Sequence, residues 1–255
     1  MAEIVIVPDA AAAGELVADA ILALVAEKPD TVLGLATGSS PLATYAALAA
    51  RHADLSRVRG FALDEYIGLP PGHPESYRAV ITREVVGPLG LTPSLVHVPG
   101  SGPIETAGSD YERAITDAGG VDLQILGIGS TGHVGFNEPS SSFASLTRVK
   151  TLAERTRRDN ARFFGSLDEV PTHCITQGLG TIRRAEHLVL LAFGAAKAEA
   201  IAAAVEGPVT ASMPASVIQL HRHVTVFVDE AAAAELANAN YYRRAWENRL
   251  PWETL

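Results

Sequence analysis

The segment VLGLATGSSP (residues 32–41) carries the clearest fold signal in the chain. An apolar run, residues 32–36, leads directly into a turn of glycine and hydroxyl residues. A run that is apolar at every position is typical of a strand in a parallel sheet covered by helices on both faces. We expect Ser40 to cap the helix that follows and Pro41 to occupy its first position. Backbone amides at such a helix start can bind an anion, but an ordinary capped turn explains the same residues equally well.

The alternation of short apolar runs with helical stretches extends from this segment towards both ends of the chain. It predicts strands at 4–7, 32–36, 60–64, 96–98, 121–127, 148–152, 172–176, 187–193 and 224–228, and helices at 11–27, 41–52, 75–87, 105–118, 157–164, 195–205 and 231–238. This order is typical of an α/β fold with a doubly wound, mostly parallel, Rossmann-like three-layer sheet. Because no linker-like segment interrupts the pattern, we expect residues 1–255 to form a single domain.

The composition narrows the class of protein. The 255 residues are 47% hydrophobic, and the formal net charge of −9 disfavours a general nucleic-acid binder. Cys174 is the single cysteine, which excludes an internal disulfide and a CxxC zinc site. The chain opens with an acid and no basic leader, and its apolar runs are too short to span a membrane. We therefore expect a cytoplasmic globular protein that binds neither nucleic acid nor membranes.

Two carboxylates, Asp64 and Glu65, end one of the predicted strands. Ligands of such sheets bind at the carboxyl ends of the strands. Neighbouring strand side chains point to opposite faces, so only one of the two would face a cleft. A carboxylate partly removed from water has a raised pKa and can act as a general base. A strand that simply ends in solvent would leave the same sequence pattern.

The loop GIGSTGHVGFNEP (residues 127–139) follows another predicted strand and contains GxGxxG. Gly135 and Pro139 prevent the long helix that a dinucleotide-binding fingerprint requires. A histidine and a carboxylate, His133 and Glu138, on one tight loop indicate proton transfer. A metal site is the weaker alternative, because the sequence offers no evident third ligand.

Two cations belong to other predicted elements, Arg162 to the helix at 157–164 and Lys197 to the helix at 195–205. Arg162 lies beside two phenylalanines and is expected to face inward, and Lys197 follows the strand at 187–193. Together with residues 37–40 they could clamp a phosphate. His221 and His223 could form a ligand pair, but exposed strand-edge histidines are the simpler interpretation. Cys174 is expected to be a small buried apolar residue.

Six segments together resemble the glucosamine-6-phosphate deaminases. They are LATGSSP (35–41), LDEYIGL (63–69), HPESY (73–77), GHVGFNEP (132–139), TRVKTL (147–152) and DNARFF (159–164). GHVGFNEP and LDEY are specific to this family, whereas the TGSSP loop is shared with 6-phosphogluconolactonases and sugar-sensing regulators. The resemblance implies a hydrolase of N-acetylglucosamine catabolism that converts glucosamine 6-phosphate to fructose 6-phosphate and ammonia. It implies neither a metal nor an organic cofactor.

The resemblance also implies roles for single residues. Asp64 matches the base that moves a proton between C2 and C1 of the open-chain sugar, and His133 matches the residue that opens the ring, with Glu138 in its proton network. The phosphate site is matched by Thr37, Gly38, Ser39, Ser40, Arg162 and Lys197. Thr131 stands where many members carry an acid or an asparagine. Its hydroxyl can orient an imidazole but cannot stabilise imidazolium as a carboxylate would.

Two further expectations concern regulation and assembly. Ser141, Ser142, Arg148 and Lys150 match the pocket for the activator N-acetylglucosamine 6-phosphate, although Leu146 replaces a frequent basic residue. A lid around residues 152–172 and a homo-oligomer are also expected.

The sequence leaves two alternative functions open. The first is that of a related sugar-phosphate isomerase or lactonase, although a lactonase needs no C2 base facing a ring-opening loop. A non-catalytic sugar-phosphate sensor is the other, although such sensors usually carry a helix-turn-helix, for which residues 1–3 leave no room before the first strand.

Overall fold

The computed structural model describes residues 2–250, 253 and 255. Within these residues the strands are β1 (Ala2–Val7), β2 (Val32–Leu35), β3 (Arg59–Ala62), β4 (Asp64–Ile67), β5 (Val96–His97), β6 (Leu123–Gly127), β7 (Arg148–Thr151), β8 (His173–Thr176), β9 (His187–Ala192) and β10 (Val224–Asp229). The α-helices of the same residues are α1 (Ala10–Glu27), α2 (Leu42–Ala50), α3 (Tyr77–Ile81), α4 (Gly87–Leu89), α5 (Ile104–Asp117), α6 (Glu154–Asn160), α7 (Leu179–Ile182), α8 (Ala198–Val205) and α9 (Ala239–Glu247). A π-helical turn, Thr82–Val86, joins α3 to α4, and 3₁₀ turns cover Pro93–Leu95, Ala161–Phe163, Ala195–Lys197 and Pro214–Leu220.

The main sheet of the described residues is parallel throughout, with the strand order β1-β10-β9-β6-β2-β3-β5. Every residue of β2 and β9 is buried, so both faces of these strands are covered. The mostly parallel α/β fold expected from the sequence is thereby confirmed. No helix of the described residues is both long and apolar enough to cross a bilayer.

The strand order places a crevice between β2 and β6. The chain leaves β2 towards β3 on one side and leaves β6 towards β9 on the other. Ligands of open α/β sheets bind at such a reversal, outside the carboxyl ends of the strands. Residues 37–40 follow β2 and residues 128–139 follow β6, so the fold brings both candidate loops to this crevice.

A second, antiparallel sheet, in the order β4-β8-β7, adjoins the main sheet. The single strand predicted at 60–64 is wrong, because the chain changes sheet at Leu63. Its N–H donates to Leu35 O of the main sheet, and its own carbonyl accepts from Gln177 N (2.7 Å), next to β8. Asp64 is therefore the first residue of the second sheet and lies at the junction of the two.

Two helix expectations are also wrong. Residues 231–238 form turns, and the helix of this region is α9. The Glu206 carboxylate accepts the N–H groups of Ala237 and Asn238, and Asp229 accepts that of Ala232, so these contacts override the helix propensity of the alanines. Likewise α2 begins at Leu42 after Pro41, without the side-chain cap expected from Ser40.

A histidine cluster lies at the amino ends of β9 and β10, the edge opposite the crevice. The rings of His187 and His223 stack with centroids 3.7 Å apart. Burial is the main cause that lowers the pKa of His187 to about 3, and His223 and His221 add to it. His221 is buried, contrary to the expectation of an exposed strand edge, because its ring fits between Ala185 O and His223 O. Cys174 is fully buried, as expected.

Candidate active site

Asp64 presents a buried carboxylate at the junction of the two sheets. Its side chain is 6% exposed, and burial, reinforced by the charge of Glu65, raises its pKa to about 8. Glu65 is used differently, since its oxygens accept the N–H groups of Tyr66, Tyr77 and Arg78 and so anchor the start of α3. The two neighbouring carboxylates thus differ: Glu65 is held by three backbone amides, whereas Asp64 is buried and its pKa is raised.

His133, Thr131 and Glu138 form a hydrogen-bonded row on the loop after β6. Thr131 Oγ1 lies 2.8 Å from His133 Nδ1 and donates to Glu138 Oε2 at 3.3 Å. The direct distance from His133 Nδ1 to Glu138 Oε2 is 3.7 Å. Burial lowers the pKa of His133, while Glu138 opposes that shift. Among the described residues, no group of three or more His, Cys, Asp or Glu side chains is arranged to hold a metal ion.

Glycines allow this loop to fold tightly against the site. A Cβ on Gly129 would lie 2.0 Å from the His133 ring, so only glycine leaves room for the imidazole. Gly135 has φ +55°, and a Cβ there would lie 3.2 Å from Asp64 Oδ2. The backbone of the loop therefore approaches the side chains of His133 and Asp64 directly.

The expected phosphate-binding residues lie on three different elements. Gly38 (φ +88°) and Ser39 are exposed in the turn after β2, and Lys197 Nζ donates to Ile128 O (2.7 Å) beyond β6. Burial lowers the pKa of Lys197, and the nearby Arg162 lowers it further. The expectation that Arg162 faces inward is wrong. Its side chain is exposed over the Phe163 ring, 4.7 Å from the centroid, because Phe163 itself is half exposed.

Residues 152–172 lie against the loop and the second sheet. Asn160 donates to Tyr66 Oη (2.9 Å), and Phe164 packs edge-on against the same tyrosine. The Arg157 side chain donates to the carbonyls of Leu167 and Val170, which closes the segment on itself.

Two polar contacts of α6 were not anticipated from the sequence. The Thr156 hydroxyl donates to Glu138 Oε1, and Ser130 Oγ donates to Asp159 Oδ2 at 3.2 Å. In the segment ERTRRDN (154–160), Thr156 and Asp159 have the pattern of a solvated helix face. Hydrophobic periodicity alone therefore does not predict these two contacts.

The residues expected to bind an activator lie beside β7. The Arg148 guanidinium donates to Asn137 Oδ1 (2.7 Å) and to Ser141 Oγ (3.4 Å). Ser142 is exposed, and its hydroxyl accepts from Ala144 N. Lys150 lies two residues beyond Arg148, on the same side of the strand, and Leu146 is half exposed. Arg148 thus contacts the residue that precedes Glu138.

Comparison with known proteins gives a consistent assignment over the whole chain. The sequence model of the family described as glucosamine-6-phosphate isomerases/6-phosphogluconolactonase matches residues 9–227. The glucosamine-6-phosphate deaminase of Bifidobacterium longum is 60% identical, covering 99% of this chain and 99% of that protein. The glucosamine-6-phosphate deaminase of Pseudarthrobacter chlorophenolicus is 58% identical, covering 98% and 99%.

Solved structures agree with the fold. A monomeric glucosamine-6-phosphate deaminase superposes with a TM-score of 0.87 at 38% identity, covering 91% of this chain and 99% of that one. The 6-phosphogluconolactonase of Thermotoga maritima superposes with a TM-score of 0.73 at 22% identity, covering 90% and 99%. The second similarity shows a shared fold alone.

Proposed function

Because this chain belongs to the family of glucosamine-6-phosphate isomerases and 6-phosphogluconolactonases, we propose that it converts glucosamine 6-phosphate and water to fructose 6-phosphate and ammonia. The observation that carries the proposal is the contact between a buried carboxylate and the loop of His133. Asp64, whose pKa is raised to about 8, lies against Gly135, which belongs to the same loop as His133.

The phosphate of the substrate is held at the crevice between β2 and β6. Gly38 and Ser39, which follow β2, are exposed, and Lys197 and Arg162 supply positive charge in an otherwise acidic protein. Backbone N–H groups with two cations suit a phosphate dianion. Residues 152–172 cover the bound sugar and exclude water from the proton transfers.

His133 opens the sugar ring. Its ring nitrogen accepts the proton of the C1 hydroxyl while the C1–O5 bond breaks, and the proton passes to O5. Glu138 and Thr131 orient the imidazole from the other side.

Asp64 then moves a proton within the open-chain aldehyde. Its carboxylate removes the proton from C2 while O1 takes a proton from the C2 ammonium group, giving an enolamine. Asp64 then returns its proton to C1, which gives a protonated imine at C2. Burial raises the basicity of this carboxylate towards neutral pH, which suits proton abstraction next to a carbonyl.

Water completes the reaction. It adds to the C2 imine, and ammonia leaves as the C2 carbonyl of fructose 6-phosphate forms. One water is consumed for each C–N bond broken, so the overall change is a hydrolysis combined with an aldose–ketose isomerisation.

We propose that Ser141, Ser142, Arg148 and Lys150 bind the phosphate of N-acetylglucosamine 6-phosphate. The bond from Arg148 to Asn137, which precedes Glu138, supports a route from that pocket to the proton network. Activation is tested by adding this compound to the assay with and without the change Arg148→Ala.

Release of ammonia from glucosamine 6-phosphate by the purified protein tests the main proposal. Ammonia and fructose 6-phosphate should appear in equal amounts, and unphosphorylated glucosamine should react poorly. No ammonia from the phosphorylated sugar, or hydrolysis of 6-phosphogluconolactone instead, would assign the protein to another branch of its family.

A further inference from the structure

Thr156 belongs to α6, yet its hydroxyl reaches the carboxylate of the loop after β6. Thr156 is 2% exposed, and its Oγ1 donates to Oε1 of Glu138, which is itself 8% exposed. Asp159, three residues later and on the same helix face, accepts from Ser130 of that loop. The helix at residues 154–160 therefore contacts the loop after β6 through two side chains on one helix face.

The two oxygens of Glu138 have different partners. Oε1 accepts from Thr156, and Oε2 accepts from Thr131, whose oxygen lies 2.8 Å from His133 Nδ1. A threonine hydroxyl has one proton to donate. When Thr131 donates to Glu138, the proton between Thr131 and His133 must belong to Nδ1. The other ring nitrogen, Nε2, then carries a lone pair.

We propose that Thr156 is a positioning residue for ring opening, because it holds Glu138 so that Oε2 points at Thr131 and the His133 tautomer with a basic Nε2 is selected. This inference rests on the proposed function. In the step concerned, Nε2 takes the proton of the C1 hydroxyl, the C1–O5 bond breaks, the C1 carbonyl forms and the proton goes to O5. Thr156 touches neither the sugar nor the transferred proton.

Other charges around His133 do not replace this role. Lys197, from the turn before α8, disfavours protonation of the imidazole, and Asp159, from α6, favours it. Lys197 and Asp159 change the stability of the charged imidazole through space. The hydrogen bond from Thr156 instead fixes the orientation of the Glu138 carboxylate. Loss of the hydroxyl should therefore alter ring opening more than substrate binding.

The test compares Thr156→Val and Thr156→Ser with the wild type, using glucosamine 6-phosphate with hydrogen or deuterium at C2. Thr156→Val should lower kcat by about 10-fold or more and change KM by less than about twofold. The C2 isotope effect should fall towards 1, because ring opening then limits the rate. Thr156→Ser, which keeps the hydroxyl, should restore most of both values.

Thr181→Val provides a matched control. Thr181 is also buried and donates to a glutamate, Glu112 Oε1 at 2.5 Å, but lies in α7. This variant should lose thermal stability while its kcat and isotope effect stay at wild-type values. If Thr156→Val does not fold, Thr156→Ala removes the hydroxyl without a branched side chain and is judged by the same criteria.

Three results would overturn the inference: a Thr156→Val or Thr156→Ala kcat within about twofold of wild type, a lowered kcat with an unchanged isotope effect, or the same kinetic change in Thr181→Val. A wild-type protein that releases no ammonia would instead overturn the proposed function, before any variant is compared.

Discussion

Gly135 packs directly against the carboxylate of Asp64. A Cβ on Gly135 would lie 3.2 Å from Asp64 Oδ2 and 3.0 Å from Thr176 Oγ1. The loop that carries His133 and the first residue of the second sheet are thus in backbone-to-side-chain contact. A side chain at position 135 would therefore push against the Asp64 carboxylate.

Gly135→Ala should therefore impair both stability and activity. The positive φ of +55° costs an L side chain about 1–2 kcal/mol, and the added methyl pushes the Asp64 carboxylate aside. Denaturant unfolding and kcat measure the two effects. Gly90→Ala is the control, because Gly90 has φ +64° and open space around it. It should lose similar stability with unchanged kcat, and an equal loss of kcat would contradict the contact.

Asp64→Asn should lower kcat by at least about 10²-fold, with KM little changed, because the amide cannot accept the C2 proton. The ionised carboxylate is the active form and its pKa is raised to about 8, so wild-type kcat/KM should rise with pH until about that value. The pH dependence of kcat/KM of the wild type measures this rise. Asp110→Asn, which removes an exposed carboxylate on α5, should leave the pH of the rise unchanged. Near-wild-type turnover of Asp64→Asn would remove Asp64 from the mechanism.

The same raised pKa has a consequence for folding. The folded state keeps the proton of Asp64 up to about pH 8, whereas the unfolded chain loses it near its ordinary value of 3.8. Between these pH values the folded state binds more protons, so the free energy of unfolding contributed by this group falls as pH rises. In Asp64→Asn, the free energy of unfolding should fall less steeply between these two pH values. Denaturant titrations at several pH values measure it.

Arg162→Ala should raise KM for glucosamine 6-phosphate by about 3- to 10-fold, a modest effect because the guanidinium is exposed and screened by solvent. Steady-state kinetics at low and high salt measure it, and the difference between variant and wild type should shrink with salt. Arg158→Ala is the control, since Arg158 pairs with Glu154 on the surface of α6. Unchanged KM in Arg162→Ala would separate this arginine from the phosphate site.

Thr131→Asp should raise the pKa of His133. Burial now lowers this pKa, and a second carboxylate beside Nδ1 favours the charged ring. Titration of the imidazole by NMR measures the shift. Thr131→Asn introduces a neutral side chain of similar size and should give no upward shift. A His133 pKa that stays in place in Thr131→Asp would mean that Glu138, at 3.7 Å, already dominates the field at the ring.

His187→Gln should make the protein more resistant to acid. The folded-state pKa of His187 is lowered to about 3, so the ring stays neutral in the native protein while the unfolded chain is protonated below about pH 6.5. This linkage removes about 2 kcal/mol of wild-type stability between neutral pH and about pH 5. Denaturant unfolding at both pH values measures the change. His173→Gln, at an exposed histidine, should behave like the wild type.

The sequence was sufficient wherever local pattern and tertiary environment agree. β2 and β9 are apolar at nearly every position and are buried on both faces. The sequence also predicts that the loops after β2 and β6 bind ligands, because such sheets bind ligands at their strand ends, and that stays a prediction. Gly129 and Gly135 are needed where side chains approach the backbone, which explains the density of glycine there.

Other features depend on contacts that no local pattern encodes. The chain changes sheet at Leu63 because of hydrogen bonds to Leu35 and Gln177, which are distant in sequence. Residues 231–238 have high helix propensity, but the carboxylates of Glu206 and Asp229 accept hydrogen bonds from backbone N–H groups of this segment. These bonds take the place of helical hydrogen bonds. Thr156 lies among charged residues and reaches Glu138 only because α6 docks onto the loop.

The pairing of β1 with β10 also determines how this protein can be made. Ile4 aligns with Val226 across the sheet edge, so β1 gains its partner only after residues 224–229 have been synthesised. Its unpaired backbone groups stay open to other nascent chains during that interval. Contacts of such long sequence separation slow folding. Yield during expression should therefore respond to translation speed and chaperone supply more strongly than the size of the core would suggest.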